Sequence, residues 1–311
     1  MNSLAPASFG AALQAASDAA GAQHYPQGTL YIVATPIGNL ADITLRALHV
    51  LQLVDAIACE DTRHTQGLLR AYGIESPSSR LLAVHQHNEA EAAEAVIHRL
   101  ANGERIAYVS DAGTPGVSDP GARLVAAVRE AGHRVLPLPG ASSVTTLVGA
   151  AGLVSEGEQS SAFVFAGFLP SKAGERDAAV LALADEPRSV VLLEAPHRIE
   201  ALARSLAALG DRRVTVGREL TKQFEEIATG PAASLPDWFA ESRDRTRGEF
   251  AMVLHPKPVV TGENAEGERV LRLLLGELPL KSAVRIAAEI TGAPRNALYD
   301  AGLRMRDEPS D

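Results

Sequence analysis

From Gly28 onward, apolar runs of strand length alternate with segments of helical period, and this alternation constrains the fold more than any other feature. Thr29 to Ala34, Ala56 to Cys59, Leu81 to Val84, Arg105 to Val109 and Arg134 to Leu138 read as five strands. Between them lie segments such as Leu45, Leu48 and Leu51, whose spacing puts the apolar residues on one helical side, with Asp42 as the expected cap. Repeated strand–loop–helix units with short connections predict a mostly parallel sheet covered by helices. In such sheets ligands bind beyond the carboxyl ends of the strands. Pro-Gly pairs, Asp, Ser and Asn gather at those ends here and not at the opposite edge.

A chain of 311 residues exceeds one average domain, and the pattern changes along it. Residues 1–27, rich in Ala, Ser and Gln, read as a disordered or weakly helical extension. Residues 28–154 form a first α/β lobe. A second lobe over 155–256 has candidate strands at Phe163 to Gly167, Ser189 to Leu193, Arg213 to Val216, Glu225 to Thr229 and Phe250 to Leu254. Fewer of these are separated by full helices, so a mixed sheet is expected there. A linker over 257–268 then leads to a helical tail, 269–311, with a helix–turn–helix look around Gly292-Ala293-Pro294.

Composition narrows the function classes. With 46% hydrophobic and 22% charged residues the chain can bury real cores. The lone Cys59 excludes an internal disulfide and a cysteine-based metal cluster, and fits a reducing cytoplasm. The longest uncharged stretch, Val135 to Val154, is interrupted by prolines and glycines and predicts no membrane span. A formal net charge of -9 means that any contact with nucleic acid must rest on local basic patches.

No G-x-G, no P-loop signature and no G-x-S-x-G occurs, which argues against dinucleotide enzymes, P-loop enzymes and α/β-hydrolases. The positive signal is Ser110-Asp111-Ala112-Gly113-Thr114-Pro115-Gly116-Val117-Ser118-Asp119-Pro120-Gly121. Its three glycines allow close backbone approach to a ligand, and its prolines limit loop entropy. Asp111 offers an acceptor to ribose hydroxyls or a cation, whereas Asp119 with Pro120 reads as a helix start. His85-x-His87 with Glu89 supplies metal-ligand types, but without a third well-spaced ligand a surface turn is expected and no metal. Glu194-Ala195-Pro196-His197-Arg198 and Arg218-Glu219-Leu220-Thr221-Lys222 each end a strand with acid and base side by side. They suit either salt bridges or general-base and phosphate-contact roles.

In order along the chain, T-P-I-G-N-L-x-D-I-T-x-R-A, E-D-T-R, H-x-H-N-E, the Ser110 to Gly121 loop, P-G-A-S, G-F-L-P, E-x-P-H-R, R-E-L-T-K and G-E-F resemble one family. It is the ribosomal RNA small subunit methyltransferase I family of the tetrapyrrole methylase superfamily. The resemblance implies a two-lobed class III methyltransferase fold, typically a homodimer, with S-adenosylmethionine folded between the lobes and no metal. It further implies 2′-O-methylation of a cytidine ribose in 16S rRNA of the small ribosomal subunit. A tetrapyrrole or corrin methylase and a non-catalytic RNA-binding protein are the rivals. Carried over by motif, Pro36, Gly38, Asn39, Asp111, Gly113, Thr114, Ser142, Ser143, Phe168 and Leu169 are the donor-site candidates. Glu194, Glu219 and Lys222 are the candidates for activating the acceptor hydroxyl. Arg198, Arg218, Arg243, Arg245 and Arg247, with Lys281, Arg285 and Arg295 of the tail, are the candidates for RNA contact.

Overall fold

The computed structural model describes residues 9–85, 88–119, 121–154, 162–257 and 265–307. The chain forms two compact units, the larger ending at Pro256 and the smaller beginning at Lys257.

The first lobe of the larger unit holds strands β1 (Thr29–Val33), β2 (Ala56–Cys59), β3 (Leu81–Ala83), β4 (Ile106–Val109) and β5 (Arg134–Leu138). They pair in parallel throughout, in the order β3-β2-β4-β1-β5. Every residue of β1, β2 and β4 is buried, which is why these strands read as uninterrupted apolar runs. Helices cover both faces. Tyr31, Val33, Ile57 and Cys59 face a core shared with α1 (Gly10–Ala20), α2 (Leu45–Leu53) and α3 (Thr62–Ala71). Leu30, Ile32, Ala58 and Tyr108 face the core under α4 (Glu89–Ala101) and α5 (Gly121–Glu130). The connection from β1 runs towards β2 and that from β4 towards β5, in opposite directions, so the loops leaving these neighbours border a crevice. The loop after β5 leads into α6 (Ser143–Ala150).

In the second lobe, β6 (Phe163–Gly167), β7 (Ser189–Glu194), β8 (Arg213–Arg218), β9 (Glu226–Pro231) and β10 (Phe250–Leu254) form a sheet in the order β6-β7-β10-β8-β9. Only β6 with β7 is parallel, so the sheet is mixed, as expected. Helices α7 (Ala173–Leu183), α8 (Ile199–Leu206) and α9 (Leu235–Ala240) close one face. Against the other face lies α6 of the first lobe, through Val144, Leu147 and Ala151 on Val191, Ala251 and Val253. That apolar seam welds the lobes at the helix which begins beside the crevice.

Two expectations change at the N-terminal side. Thr44, not Asp42, caps α2, accepting from the Ala47 amide at 3.1 Å, while Asp42 ends a short 3-10 turn. The extension contains a helix, α1, that buries Ala16 and Ala20 and sets Phe9 edge-on to Tyr72 at 4.9 Å. The smaller unit is three helices: α10 (Ala265–Leu275), α11 (Leu280–Thr291) and α12 (Arg295–Asp307). α10 thus begins inside the stretch read as linker. Leu271, Leu280, Ala283, Val284, Ala287 and Leu298 pack together as its core. Gly292, at φ 74°, ends α11 in the left-handed conformation that glycine adopts without strain.

Candidate active site

The crevice edge is built by hydrogen bonds between loops. Thr35, just past β1, exchanges backbone bonds of 3.0 Å in both directions with Gly113, and its hydroxyl donates to the Ser110 carbonyl at 3.1 Å. Gly113 takes φ 82°, and a side chain there would press on Ile37 and approach the Ala141 carbonyl. Thr114 donates to the Ala141 carbonyl at 2.9 Å, fastening the Ser110 loop to the P-G-A-S turn. Asp119 spends both carboxylate oxygens locally, on the Tyr108 hydroxyl (2.9 Å), the Gly121 amide (2.8 Å) and the Gly116 amide (2.7 Å). That is the helix-start role expected of it; Pro120 itself lies outside the described residues.

These bonds frame a cleft partly open to solvent. Its walls are Glu60 after β2, Ser110 to Thr114 and Val117 to Asp119 after β4, Ser142 and Ser143 at the start of α6, and Leu193 from the second lobe. Asp111, Gly113, Thr114, Ser142 and Ser143 are thus brought together as the sequence suggested. Ser142 stands at the N-cap of α6 without using its hydroxyl as a cap, and it lines the cleft with Ser143, the first residue of the helix.

The electrostatics are acidic. Asp111 accepts from the Asp61 amide at 3.3 Å. Burial, and then the charges of Asp111, Asp119 and Asp61, push the Glu60 carboxyl above its ordinary range. Behind them, burial raises the Cys59 thiol to about 11, so it stays protonated. Glu60 opens the E-D-T-R motif, whose residue types alone point to no role for it. Its place at the carboxyl end of a parallel strand was the signal available.

The other donor candidates lie outside this wall. Pro36 is half-buried beside the Thr35 bridge. Asn39 caps the Leu40–Asp42 turn by accepting from the Ala41 amide at 3.0 Å. A side chain on Gly38 would meet Lys222 and come within 2.8 Å of the Leu220 carbonyl, so Gly38 lets the first-lobe loop touch the loop after β8. Phe168 is 52% exposed, and Leu169 is buried in the second-lobe core.

The candidates for activating the acceptor are placed apart from the cleft. On β7, Val191 and Leu193 face α6, whereas Val190 and Leu192 face the opposite core. Strand alternation puts Glu194 with the latter pair. Its side chain is fully buried, 3.1 Å from Arg198 Nε and 2.9 Å from the Ala195 amide. Arg198 also donates to the Leu169 carbonyl, so the pair clamps α8 to the loop after β6. Glu219 and Lys222 form an ion pair of 2.8 Å, with Glu249 3.0 Å from the same ammonium. Glu219 and Thr221 both take positive φ, 51° and 65°, which for a β-branched residue is strained backbone. Lys222 is thus held charged at the contact with Gly38, in a loop whose shape is imposed rather than preferred.

Of the RNA-contact candidates, Arg218 pairs with Glu226 at 3.3 Å and Arg245 is held by Glu226, Glu241 and the face of Trp238. Arg247 is exposed and pairs with Asp244 at 3.2 Å. Arg243 is exposed, its carbonyl accepting from the Thr246 hydroxyl at 3.0 Å and its guanidinium without a partner among the described residues. In the smaller unit Arg285 and Arg295 share Glu289, and Lys281 is exposed. His87 lies outside the described residues, and Glu89 pairs with Arg123 at 2.6 Å.

The family model described as Tetrapyrrole (Corrin/Porphyrin) Methylases matches residues 29–236, and the one described as RsmI C-terminal HTH domain matches 261–306. Among known proteins, the ribosomal RNA small subunit methyltransferase I of Escherichia coli O157:H7 is 47% identical over 289 residues, covering 90% of this chain and 96% of the relative. Among solved structures, diphthine synthase superposes with a TM-score of 0.56 at 16% identity, over 74% of this chain and 90% of that one. A uroporphyrin-III C-methyltransferase of Thermus thermophilus complexed with S-adenosyl homocysteine gives 0.50 at 16%, over 73% and 97%. The family model over residues 29–236 and the 47% identical relative place the chain in the tetrapyrrole methylase superfamily, as a member of the ribosomal RNA small subunit methyltransferase I family.

Proposed function

We propose that this protein transfers a methyl group from S-adenosylmethionine to a cytidine ribose 2′-hydroxyl in 16S rRNA of the small ribosomal subunit. Membership of a methyltransferase family named for that RNA supports the acceptor class. The observation that carries the donor site is the cleft, walled by three strand-end loops and ringed by Glu60, Asp111 and Asp119. A sulfonium carries one positive charge, which such a carboxylate-lined wall favours. The start of α6, with Ser142 and Ser143, suits the donor's carboxylate, and Gly113 lets the ligand rest against backbone. The donor supplies an electrophilic methyl on a good leaving group. The chain's part is to align the two reactants and exclude water, for which a cleft between lobes is suited.

RNA contact is assigned first to the exposed Arg243, Arg247, Lys281, Arg285 and Arg295, because Arg198, Arg218 and Arg245 are largely buried in their ion pairs. No described helix is long and apolar enough to cross a membrane, and a cytoplasmic homodimer completes the reading. The test is methyl transfer from isotope-labelled S-adenosylmethionine to purified small subunits, with the labelled nucleotide mapped. Label in a cytidine 2′-O-methyl is expected. Label accepted by a tetrapyrrole and refused by the subunit overturns the proposal. Asp111→Ala should raise the Kd for the donor about tenfold or more, the loss expected for one charge-assisted hydrogen bond. Unchanged affinity in calorimetry would remove Asp111 from the donor site.

A further inference from the structure

Three carboxylates line the cleft, and two of them are engaged. Asp119 has both oxygens bonded to Tyr108, Gly116 and Gly121, and Asp111 accepts from the Asp61 amide. Glu60 alone has no hydrogen-bond or ion-pair partner among the described residues, and it stands on the cleft wall at the end of β2. The groups first considered for hydroxyl activation do not compete. Glu194 is locked in its clamp on the far face of β7, and Lys222 is a charged partner of Glu219 and Glu249. Resting on the methyl-transfer reading above, we propose that Glu60 is the proton acceptor for the acceptor hydroxyl.

The step balances. A lone pair on the ribose oxygen forms the new O–C bond to the donor's methyl carbon. The C–S bond breaks onto sulfur, leaving a neutral thioether, and the O–H proton passes to the Glu60 carboxylate. Burial, and then the charges of Asp111, Asp119 and Asp61, make this carboxylate bind a proton more readily than a solvated one. Because this base works ionised, the rate should fall as pH drops through a Glu60 value raised above the ordinary glutamate range.

The experiment is single-turnover methylation of small subunits at saturating donor, followed from about pH 5 to 9, with donor affinity measured separately. Glu60→Gln keeps size and polarity and removes the base. A fall in rate of about 10²-fold or more is expected. Because the rate is read at saturating donor, the weaker donor binding expected when the Glu60 charge is removed does not enter it, and the acidic limb of the profile should vanish. Glu60→Asp, with its carboxylate set back, should recover part of the rate together with the limb. A Glu60→Gln protein that binds donor weakly yet turns over at the wild-type rate when saturated makes Glu60 a donor-ribose ligand and overturns the proposal. So does a retained acidic limb. Wild-type protein that transfers no label to subunits overturns the underlying reading, a result separate from any difference between the variants.

Discussion

Lys222 lies 2.8 Å from Glu219 and 3.0 Å from Glu249, and the pair sets a pH window for stability. Burial raises the Glu219 carboxyl, but the Lys222 and Glu249-amide hydrogen bonds and the Lys222 and Arg218 charges outweigh it and hold the group below its ordinary value. For Lys222, burial lowers the ammonium and the bonds and charges of Glu219 and Glu249 raise it further. Glu219's contribution is therefore full above its unfolded value of 4.5 and is lost as pH falls through the depressed folded one. That of Lys222 is full below 10.5 and is lost as pH rises through the raised one. Urea midpoints measured across this range should show a plateau between those limits. Lys222→Met should flatten the acid side, and an unchanged acid slope would assign it to other groups. Arg212 is a second residue whose work is structural. Buried, it donates to the carbonyls of His255 (2.9 Å), Leu183 (2.6 Å), Glu186 (3.0 Å) and Arg188 (3.2 Å). Arg212→Ala should cost about 3 kcal/mol or more in chemical denaturation, since it orphans several carbonyls at once. Arg212→Lys should restore little, because an ammonium cannot reproduce the guanidinium fork.

At the scale of elements, helix α1 shows what weak periodicity conceals. Its buried residues are Ala16 and Ala20, too small to mark an apolar stripe, and its stability comes from lying on α2 and from Phe9 against Tyr72. Removing residues 1–21 should lower stability by about 2–4 kcal/mol, the scale of uncovering one or two large apolar side chains. A urea titration with unchanged midpoint would mean that α1 is decoration. The ten described strands were legible to within a residue or two: β1, β2, β4 and β10 are buried on both faces and read as apolar runs, and turn residues bound the others. The Ser110 to Gly121 loop was legible for a similar reason, since its glycines and prolines mark a fixed backbone. Glu60 was not, because its importance comes from the strand order. Placing β4 between β2 and β1 brings the ends of β2 and β4 together, and no spacing in the chain records that. The strand-end acids Glu194 and Glu219 are ambiguous for a different reason. Acid beside base at a strand end is equally the pattern of a clamp, and only burial and partners separate the two uses.

At the scale of the whole molecule, charge divides unevenly between the two units. From Lys257 on, the chain carries eight Lys and Arg against nine Asp and Glu, so only -1 of the formal -9 belongs to that C-terminal segment and -8 to the residues before it. A phosphate backbone is therefore repelled by most of the protein and met on nearly neutral terms by the three helices, with Lys281 exposed among them. The cleft has the opposite preference, since its carboxylates favour a cationic donor. Because the two preferences fall on different units of the chain, they are separable by truncation. A chain ending at Pro256 should bind S-adenosylmethionine within about twofold of the full-length protein, less than one ordinary hydrogen bond is worth. It should bind small subunits about tenfold or more weakly, with a shallower dependence of log K on log salt, because fewer phosphates are neutralised. The two affinities are read by calorimetry and by filter binding at several salt concentrations. Equal subunit affinity and equal slope in the shortened chain would move the RNA contact wholly onto the larger unit, where the exposed Arg243 and Arg247 would have to carry it against the field of their own domain.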